Sequence, residues 1–341
     1  MKLLVTGGSG FIGSNFISYW LEKYTRDTVI NLDLMTYAAN PLTVKYHQKL
    51  FGERYHFIQG DICNFNLIND LVKEVDLIVH FAAESHVDKS VENSSIFVRT
   101  NVLGTHTLLE AARINGNKRF HHISTDEVFG TLELNSEAKF DESTPYNPRS
   151  PYAASKAGSD HLVKAYFETY GLPITITNCS NNYGPFQFPE KVIPLYITRL
   201  LNNKKIPVYG KGLAVRDYLF VLDHCKAIDL VITKGKIGES YCVGGDSERN
   251  TNQVAEIIAA KLNKPYELIV HTADRPGHDP RYAINHAKIT RELGWNPTIS
   301  FEDGIDFTIE WYKNNESWWK PISSKAEEIA EKYLQSVNKK S

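Results

Sequence analysis

Over its first half the chain alternates short apolar runs with amphipathic stretches. Runs of the strand type cover residues 2–6, 28–33, 55–59, 77–81, 120–124 and 174–177. Between them, residues 11–24, 67–74, 94–113 and 152–170 carry apolar side chains at three- and four-residue spacing. In the first of these stretches Phe16, Ile17, Trp20 and Leu21 share one helix face. Strands alternating with helices predict an α/β fold, a Rossmann-type doubly wound parallel sheet with helices on both faces. Ligands of such sheets gather outside the carboxyl ends of the strands.

The pattern changes near residue 178. Asn178-Cys-Ser-Asn181-Asn182-Tyr-Gly184-Pro185 is polar and turn-rich, and beyond it short apolar pieces alternate with Gly and Pro as far as Trp295-Asn-Pro297. This predicts a dinucleotide-binding domain over residues 1–178, to which parts of the later chain return, and a smaller, interleaved substrate lobe over 179–322. Residues 323–341, rich in Lys and Glu with little apolar mass, read as either a surface helix or a frayed tail.

Composition narrows the partners. The 341 residues carry a formal net charge of -2, which gives no electrostatic ground for a nucleic acid polymer or a membrane surface. No apolar run reaches the roughly 18 residues of a membrane span. The N-terminus lacks the features of a secretory signal, so the expected location is cytoplasmic. Four cysteines, Cys63, Cys179, Cys225 and Cys242, are scattered without a Cys-x-x-Cys pair, and imply neither a metal site nor a disulfide framework.

The first strand and helix are joined by Gly7-Gly-Ser-Gly10-Phe-Ile-Gly13. Gly7, Gly10 and Gly13 let the backbone approach a diphosphate, whose charge suits the helix N-terminus. Asp33 ends the next strand about 20 residues on, where a carboxylate takes the ribose hydroxyls of NAD and repels the extra phosphate of NADP. The Gly-x-x-Gly-x-x-Gly spacing points to the short-chain dehydrogenase branch. Asp61-Ile62, Ala82-Ala83-Glu84-Ser85-His86 and Ser124 to Glu127 fall at further strand ends. Asp61 reads either as a cofactor contact or as a helix N-cap before Phe65.

Ser124-Thr125-Asp126-Glu127 is followed by Tyr152-Ala-Ala-Ser-Lys156, with phenol and ammonium one helical turn apart. Hydroxyl, two carboxylates, phenol and ammonium together can take a proton from a hydroxyl, take one from carbon and give one to oxygen. The Tyr-x-x-x-Lys pair behind Ser124/Thr125 resembles the catalytic set of the short-chain dehydrogenase/reductase superfamily. A phenol that titrates near pH 10 serves there as a base only if a neighbouring ammonium and the oxidised nicotinamide stabilise its phenolate.

The adjacent acids discriminate further, since hydride transfer alone does not need them and removal of water does. With Ala82 to Asp88, Asn178 to Pro185, Phe188-Pro-Glu-Lys191, Val215-Arg216-Asp217 and Asp274-Arg275-Pro-Gly-His278-Asp all in order, residues 1–320 resemble the dTDP-glucose 4,6-dehydratases. These are NAD-dependent lyases of the extended short-chain dehydrogenase/reductase family. The resemblance implies tightly held NAD that is regenerated in each cycle, with Tyr152 as base at the 4-hydroxyl and Thr125 bound to the 4-oxygen. Glu127 then removes the C5 proton, and Asp126 protonates the departing 6-hydroxyl, which requires environments that set the two acids apart. It also implies NAD contacts from Gly7, Gly10, Phe11, Ile12, Gly13, Asp33, Leu34, Thr36, Asp61, Ile62, Ala82, Ala83, Thr100, Tyr152, Lys156 and Asn182. Sugar-nucleotide contacts would come from Ser85, Thr125, Asn181, Lys191, Val192, Pro207, Tyr209, Arg216, Asp274, Arg275 and His278. A homodimer paired through residues 94–113 and 152–170 is implied as well.

Departures lie in the nucleotide-binding lobe and bear on base specificity more than on the reaction. Leu34 stands where the family often has lysine, Thr251 next to Asn250 where an asparagine is expected, Cys242-Val243 within the Tyr-Asn-Ile-Gly-Gly run, and Pro280 in place of arginine. A UDP-glucose 4,6-dehydratase differs by recognition of one methyl group, worth about 1–3 kcal/mol. A sugar-nucleotide 4-epimerase or decarboxylase would share Tyr152, Lys156 and the NAD site without the adjacent acids. A non-catalytic dinucleotide sensor could dispense with the Tyr/Lys pair.

Overall fold

The apolar runs of the first half become neighbours in one parallel sheet. In the computed structural model, which describes residues 1–274 and 279–338, β1 (Lys2–Thr6) pairs with β2 (Thr28–Asp33) and, on its other side, with β4 (Leu77–His80). β3 (Tyr55–Gln59) lies outside β2, and β5 (Arg119–Thr125) and β6 (Ile174–Cys179) continue beyond β4. Strand Ser240–Val243, from far along the chain, closes the seven-stranded sheet against β6. The order β6-β5-β4-β1-β2-β3 reverses direction between β1 and β4, which opens a crevice at their carboxyl ends. β1 and β4 are aliphatic on both faces because helices cover both.

Those helices are α1 (Phe11–Lys23), α2 (Pro41–Phe51), α3 (Phe65–Lys73), α4 (Val87–Glu92), α5 (Ser94–Phe97), α6 (Thr105–Ile114) and α7 (Pro151–Tyr170). α2 has a weak apolar stripe and escapes the periodicity. Asn40, which caps Leu42 N–H at 2.9 Å, and Pro41 at the first position start it. The stretch 94–113 is not one regular helix, because Val98–Gly104 winds as a π-helix between α5 and α6. Within this wider turn Asn101 exchanges hydrogen bonds with the backbone of Glu84, at 2.8 and 3.0 Å, and donates to Ser155 Oγ at 2.8 Å.

The turn-rich expectation at Asn178 gives way to strand. β6 runs on through Cys179, and β7 (Asn181–Tyr183) follows at once. Burial overrides the polar composition, because Asn178 is buried and donates to Asp160 at 3.2 Å. β8 (Ile206–Tyr209), β9 (Val215–Phe220), β10 (the Ser240–Val243 strand), β11 (Glu248–Asn250) and β12 (Ile269–Thr272) complete the set. β7, β9 and β11 form one small sheet, and β8 with β12 another. They surround a second core that includes Tyr183, Tyr196, Phe301, Tyr312, Trp318 and Trp319. Between β9 and β10, helix Val221–Lys234 turns back to the first lobe, burying Val221, Cys225, Ile228 and Ile232 with Phe16 and Trp20.

The tail is a docked helix, Ser324–Asn338. Ala326 and Ala330 enter the second core, and the Arg199 guanidinium, 1% exposed, donates to Glu327 at 2.8 Å and Glu331 at 2.6 Å. Its few apolar residues suffice because a buried cation supplies the rest of the attachment.

Candidate active site

Each candidate group sits where a strand of the main sheet hands the chain to a loop. β5 ends at Thr125, whose hydroxyl accepts the Glu127 N–H at 3.3 Å and so starts the short 3₁₀ turn Asp126–Phe129. That turn buries Asp126 and leaves Glu127 partly exposed. The following loop leads into α7, which begins with Ser150 capping the Ala153 N–H and Pro151 at its first position. Tyr152 and Lys156 are thereby fixed one turn apart on the buried side of α7.

A cleft of about 340 Å³ crosses the carboxyl ends of β1, β2, β4, β5 and β6. It is lined by Thr125, Asp126, Glu127, Tyr152 and Lys156, and by every expected cofactor contact from Gly7 through Thr100 to Asn182. Ser85, Asn181 and Lys191 line it too. Val192, Pro207, Tyr209, Arg216 and Asp274 do not. Pro207 and Tyr209 lie on β8 paired with β12, and the Asp274 carboxyl sits over Gly210 just beyond β8. Arg216 lies over the Tyr282 ring, 4.2 Å from its centre. Arg275 and His278 fall outside the described residues.

The glycine turn fits a dinucleotide. A Cβ on Gly7 (φ +71°) would lie 2.6 Å from Ala82 N, and one on Gly13 2.5 Å from Gly7 O, so neither position admits a side chain. α1 starts at Gly10 with no side-chain cap and no acid in its first turn, which leaves its amides for an anion. Asp33 accepts Ser9 N–H at 2.9 Å and Met35 N–H at 2.8 Å, and each carboxylate oxygen keeps a lone pair for a ribose hydroxyl. Asp61 accepts Cys63 N–H at 2.8 Å and Arg99 at 2.6 Å, while Asn64 caps α3, so the N-cap alternative for Asp61 is excluded.

Burial pushes the Asp126 carboxyl well above the carboxylate range, the charges of Glu127 and Asp217 add to this, and Arg216 opposes it. Asp126 Oδ1 accepts from Thr125 Oγ1 at 3.2 Å, and Oδ2 has no hydrogen-bond partner among the described residues. A buried, neutral acid thus stands beside a partly exposed carboxylate, the arrangement of a proton donor next to a proton acceptor. The Tyr152 phenol is raised above its ordinary value by burial and by Glu127, with Thr125 opposing. The Lys156 ammonium donates to Ile123 O at 2.8 Å and stands 3.4 Å from His122 Nε2. Burial lowers its pKa and the Asp160 charge opposes that.

Sequence reasoning missed several groups. Glu84 and Glu190 line the cleft, and the Tyr282 phenol feels the Glu127 charge. Asp160 collects hydrogen bonds directly behind the catalytic groups, and its position one turn past Lys156 was the available signal. Among the described residues, no helix is long and apolar enough to cross a membrane, and no cluster of three His, Cys, Asp or Glu is placed for a metal ion.

Residues 4–308 match the family model described as GDP-mannose 4,6 dehydratase. A dTDP-glucose 4,6-dehydratase of Xanthomonas campestris pv. campestris is 50% identical over 337 residues, covering 92% of this chain and 94% of that protein. The crystal structure of DesIV, a dTDP-glucose 4,6-dehydratase from Streptomyces venezuelae with NAD and TYD bound, superposes with a TM-score of 0.90 at 46% identity, over 94% of this chain and 100% of that one. A UDP-glucose 4-epimerase from Thermotoga maritima shares the fold, with a TM-score of 0.85 at 26% identity over 93% of this chain and 100% of that one.

Proposed function

Because the chain belongs to the dTDP-glucose 4,6-dehydratase family, we propose that it converts dTDP-glucose to dTDP-4-keto-6-deoxyglucose and water. The observation that carries this reading is the Asp126-Glu127 pair in one cleft with Tyr152 and the glycine turn. NAD would supply the hydride chemistry at C4 and C6 within one cycle. The glycine turn, the amides at the start of α1 and Asp33 would hold it, with Lys156 at the nicotinamide ribose.

Tyr152 removes the proton of the 4-hydroxyl, and Thr125 hydrogen-bonds the 4-oxygen as its charge changes. A cation on the cleft side of the phenol is what this role demands, since burial and the Glu127 charge hold the proton on. The 4-ketone acidifies the C5 hydrogen, which Glu127 takes. Asp126, neutral because it is buried, gives its proton to the leaving 6-hydroxyl. Arg216, over the Tyr282 ring, offers a planar fork to the diphosphate. Ser85, Asn181, Lys191, Val192, Pro207, Tyr209 and Asp274 are assigned to the rest of the sugar nucleotide.

Residues 1–178 are read as the NAD-binding domain and 179–322 as mainly the sugar-nucleotide lobe. The enzyme is read as a cytoplasmic homodimer. Ile96, Val98 and Leu103 are exposed along α5 and the π-helix, and Val98, Val102, Leu103 and Leu162 line an apolar hollow against α7, which supports pairing through this face. The test is mass analysis of the products from dTDP-glucose and, separately, UDP-glucose. A product one water lighter from the first supports the proposal. An isomer of unchanged mass, or carbon dioxide release, overturns it.

A further inference from the structure

Lys156 is 4% exposed and the direct donation of its ammonium goes to a neutral carbonyl, so its charge needs a counter-ion elsewhere. One turn further along α7 lies Asp160, fully buried, outside the cleft. His122 Nε2 stands between them, 3.4 Å from Lys156 Nζ and 3.1 Å from Asp160 Oδ1. The other oxygen, Oδ2, accepts from Ser124 Oγ at 2.7 Å, Tyr146 OH at 2.9 Å and Asn178 Nδ2 at 3.2 Å. Three donors plus the imidazole are the environment of a carboxylate that stays ionised.

We propose that Asp160 is a positioning residue for the reaction assigned above, the counter-ion whose charge acts across the His122 ring to keep Lys156 charged where it would hold the nicotinamide ribose. The groups around Lys156 agree. Tyr152 and Asp160 share its helix, His122 comes from β5, His80 from β4 and Cys179 from β6. Burial and the Lys156 charge press the His122 ring down to about 4, and burial lowers His80 and lifts the Cys179 thiol to about 12, so all three are neutral near pH 7. Burial would raise the Asp160 carboxyl, but its bonds and the charges of His122 and Lys156 leave it below the usual range. Among these groups Asp160 alone is an anion. Its charge acts on Lys156, whereas Tyr152 is raised by burial and then by the charge of Glu127. Ser124 precedes Thr125, and Asn178 also donates to Thr125 O at 3.4 Å, so the same carboxylate braces the strand that carries the acid pair.

The test compares thermal unfolding of parent holoenzyme, Asp160→Asn, Asp160→Ser and Tyr146→Phe from about pH 7 to about pH 10, below the usual lysine value. Without its counter-ion the buried ammonium is a cost that deprotonation relieves, so the stability deficit of the Asn variant should shrink as pH rises. Tyr146→Phe removes a hydrogen bond from the same carboxylate and keeps the charge, so its deficit should stay constant. Asp160→Ser, smaller and neutral, gives the reading if the Asn variant does not fold. In single-turnover nicotinamide reduction, the alkaline limb of the Asn variant should move down by about one pH unit or more, a tenfold loss where the parent is still on its plateau. A pH-independent deficit with an unmoved limb overturns the proposal. Absence of nicotinamide reduction in the parent would instead overturn the dehydratase reading, and leaves the unfolding comparison to decide Asp160.

Discussion

Glu127→Gln separates the elimination from the hydride steps. Glu127 is partly exposed, and glutamine keeps the backbone N–H that Thr125 holds. The substitution therefore removes a base and leaves the 3₁₀ turn in place. A positioned general base contributes about 10²- to 10⁴-fold, equivalent to about 3–5 kcal/mol of barrier. The expected phenotype is nicotinamide reduction at the parent rate after rapid mixing with dTDP-glucose. Deuterium exchange at C5 and product release should both be slower by that factor, so the reduced cofactor persists. Turnover at the parent rate would refute the assignment. Equal slowing of nicotinamide reduction would place Glu127 in the first step instead.

Tyr152→Phe should suppress nicotinamide reduction itself, by at least about 10²-fold in a single turnover. Asp126→Asn should keep C5 exchange and lose dehydration. Its melting temperature should not fall below that of the parent, because the amide mimics the neutral acid that burial already favours at this position. Gly13→Ala drives a methyl to 2.5 Å from Gly7 O, and the purified variant should carry little NAD when its cofactor content is measured. Glu327→Gln with Glu331→Gln deprives buried Arg199 of both carboxylates, and denaturant unfolding should show a loss of about 1–3 kcal/mol.

The parallel sheet was legible because aliphatic runs buried on both faces leave a continuous signature, and β1 and β2 begin and end where that signature does. Tyr152 and Lys156 were legible because helical spacing is local. What escaped depends on contacts distant in sequence. The π-helix at Val98–Gly104 exists to bring Asn101 to the Glu84 backbone, which no local period announces. The strand character of Asn178 comes from pairing beside Ser124 of β5 and Cys242 of β10, with its buried amide taken up by Asp160 on α7. The direction of the Lys156 ammonium likewise depends on His122 and Ile123, which lie on β5. The tail helix owes its place to Arg199, about 130 residues earlier, together with the little apolar content that Ala326 and Ala330 bring to the second core.

The position of β10 bears on how the polypeptide matures during synthesis. Its register puts Ser240 beside Ile176 and Val243 beside Cys179, so the edge of the main sheet next to the catalytic loops stays open until that late strand has emerged. A nascent chain holding only the glycine turn and the Tyr/Lys pair still exposes β6 as an unpaired edge, a template for aggregation. Ribosome-bound intermediates shorter than about 240 residues should therefore depend on chaperones, and fragments cut at the apparent lobe boundary should precipitate even though they contain nearly every cofactor contact.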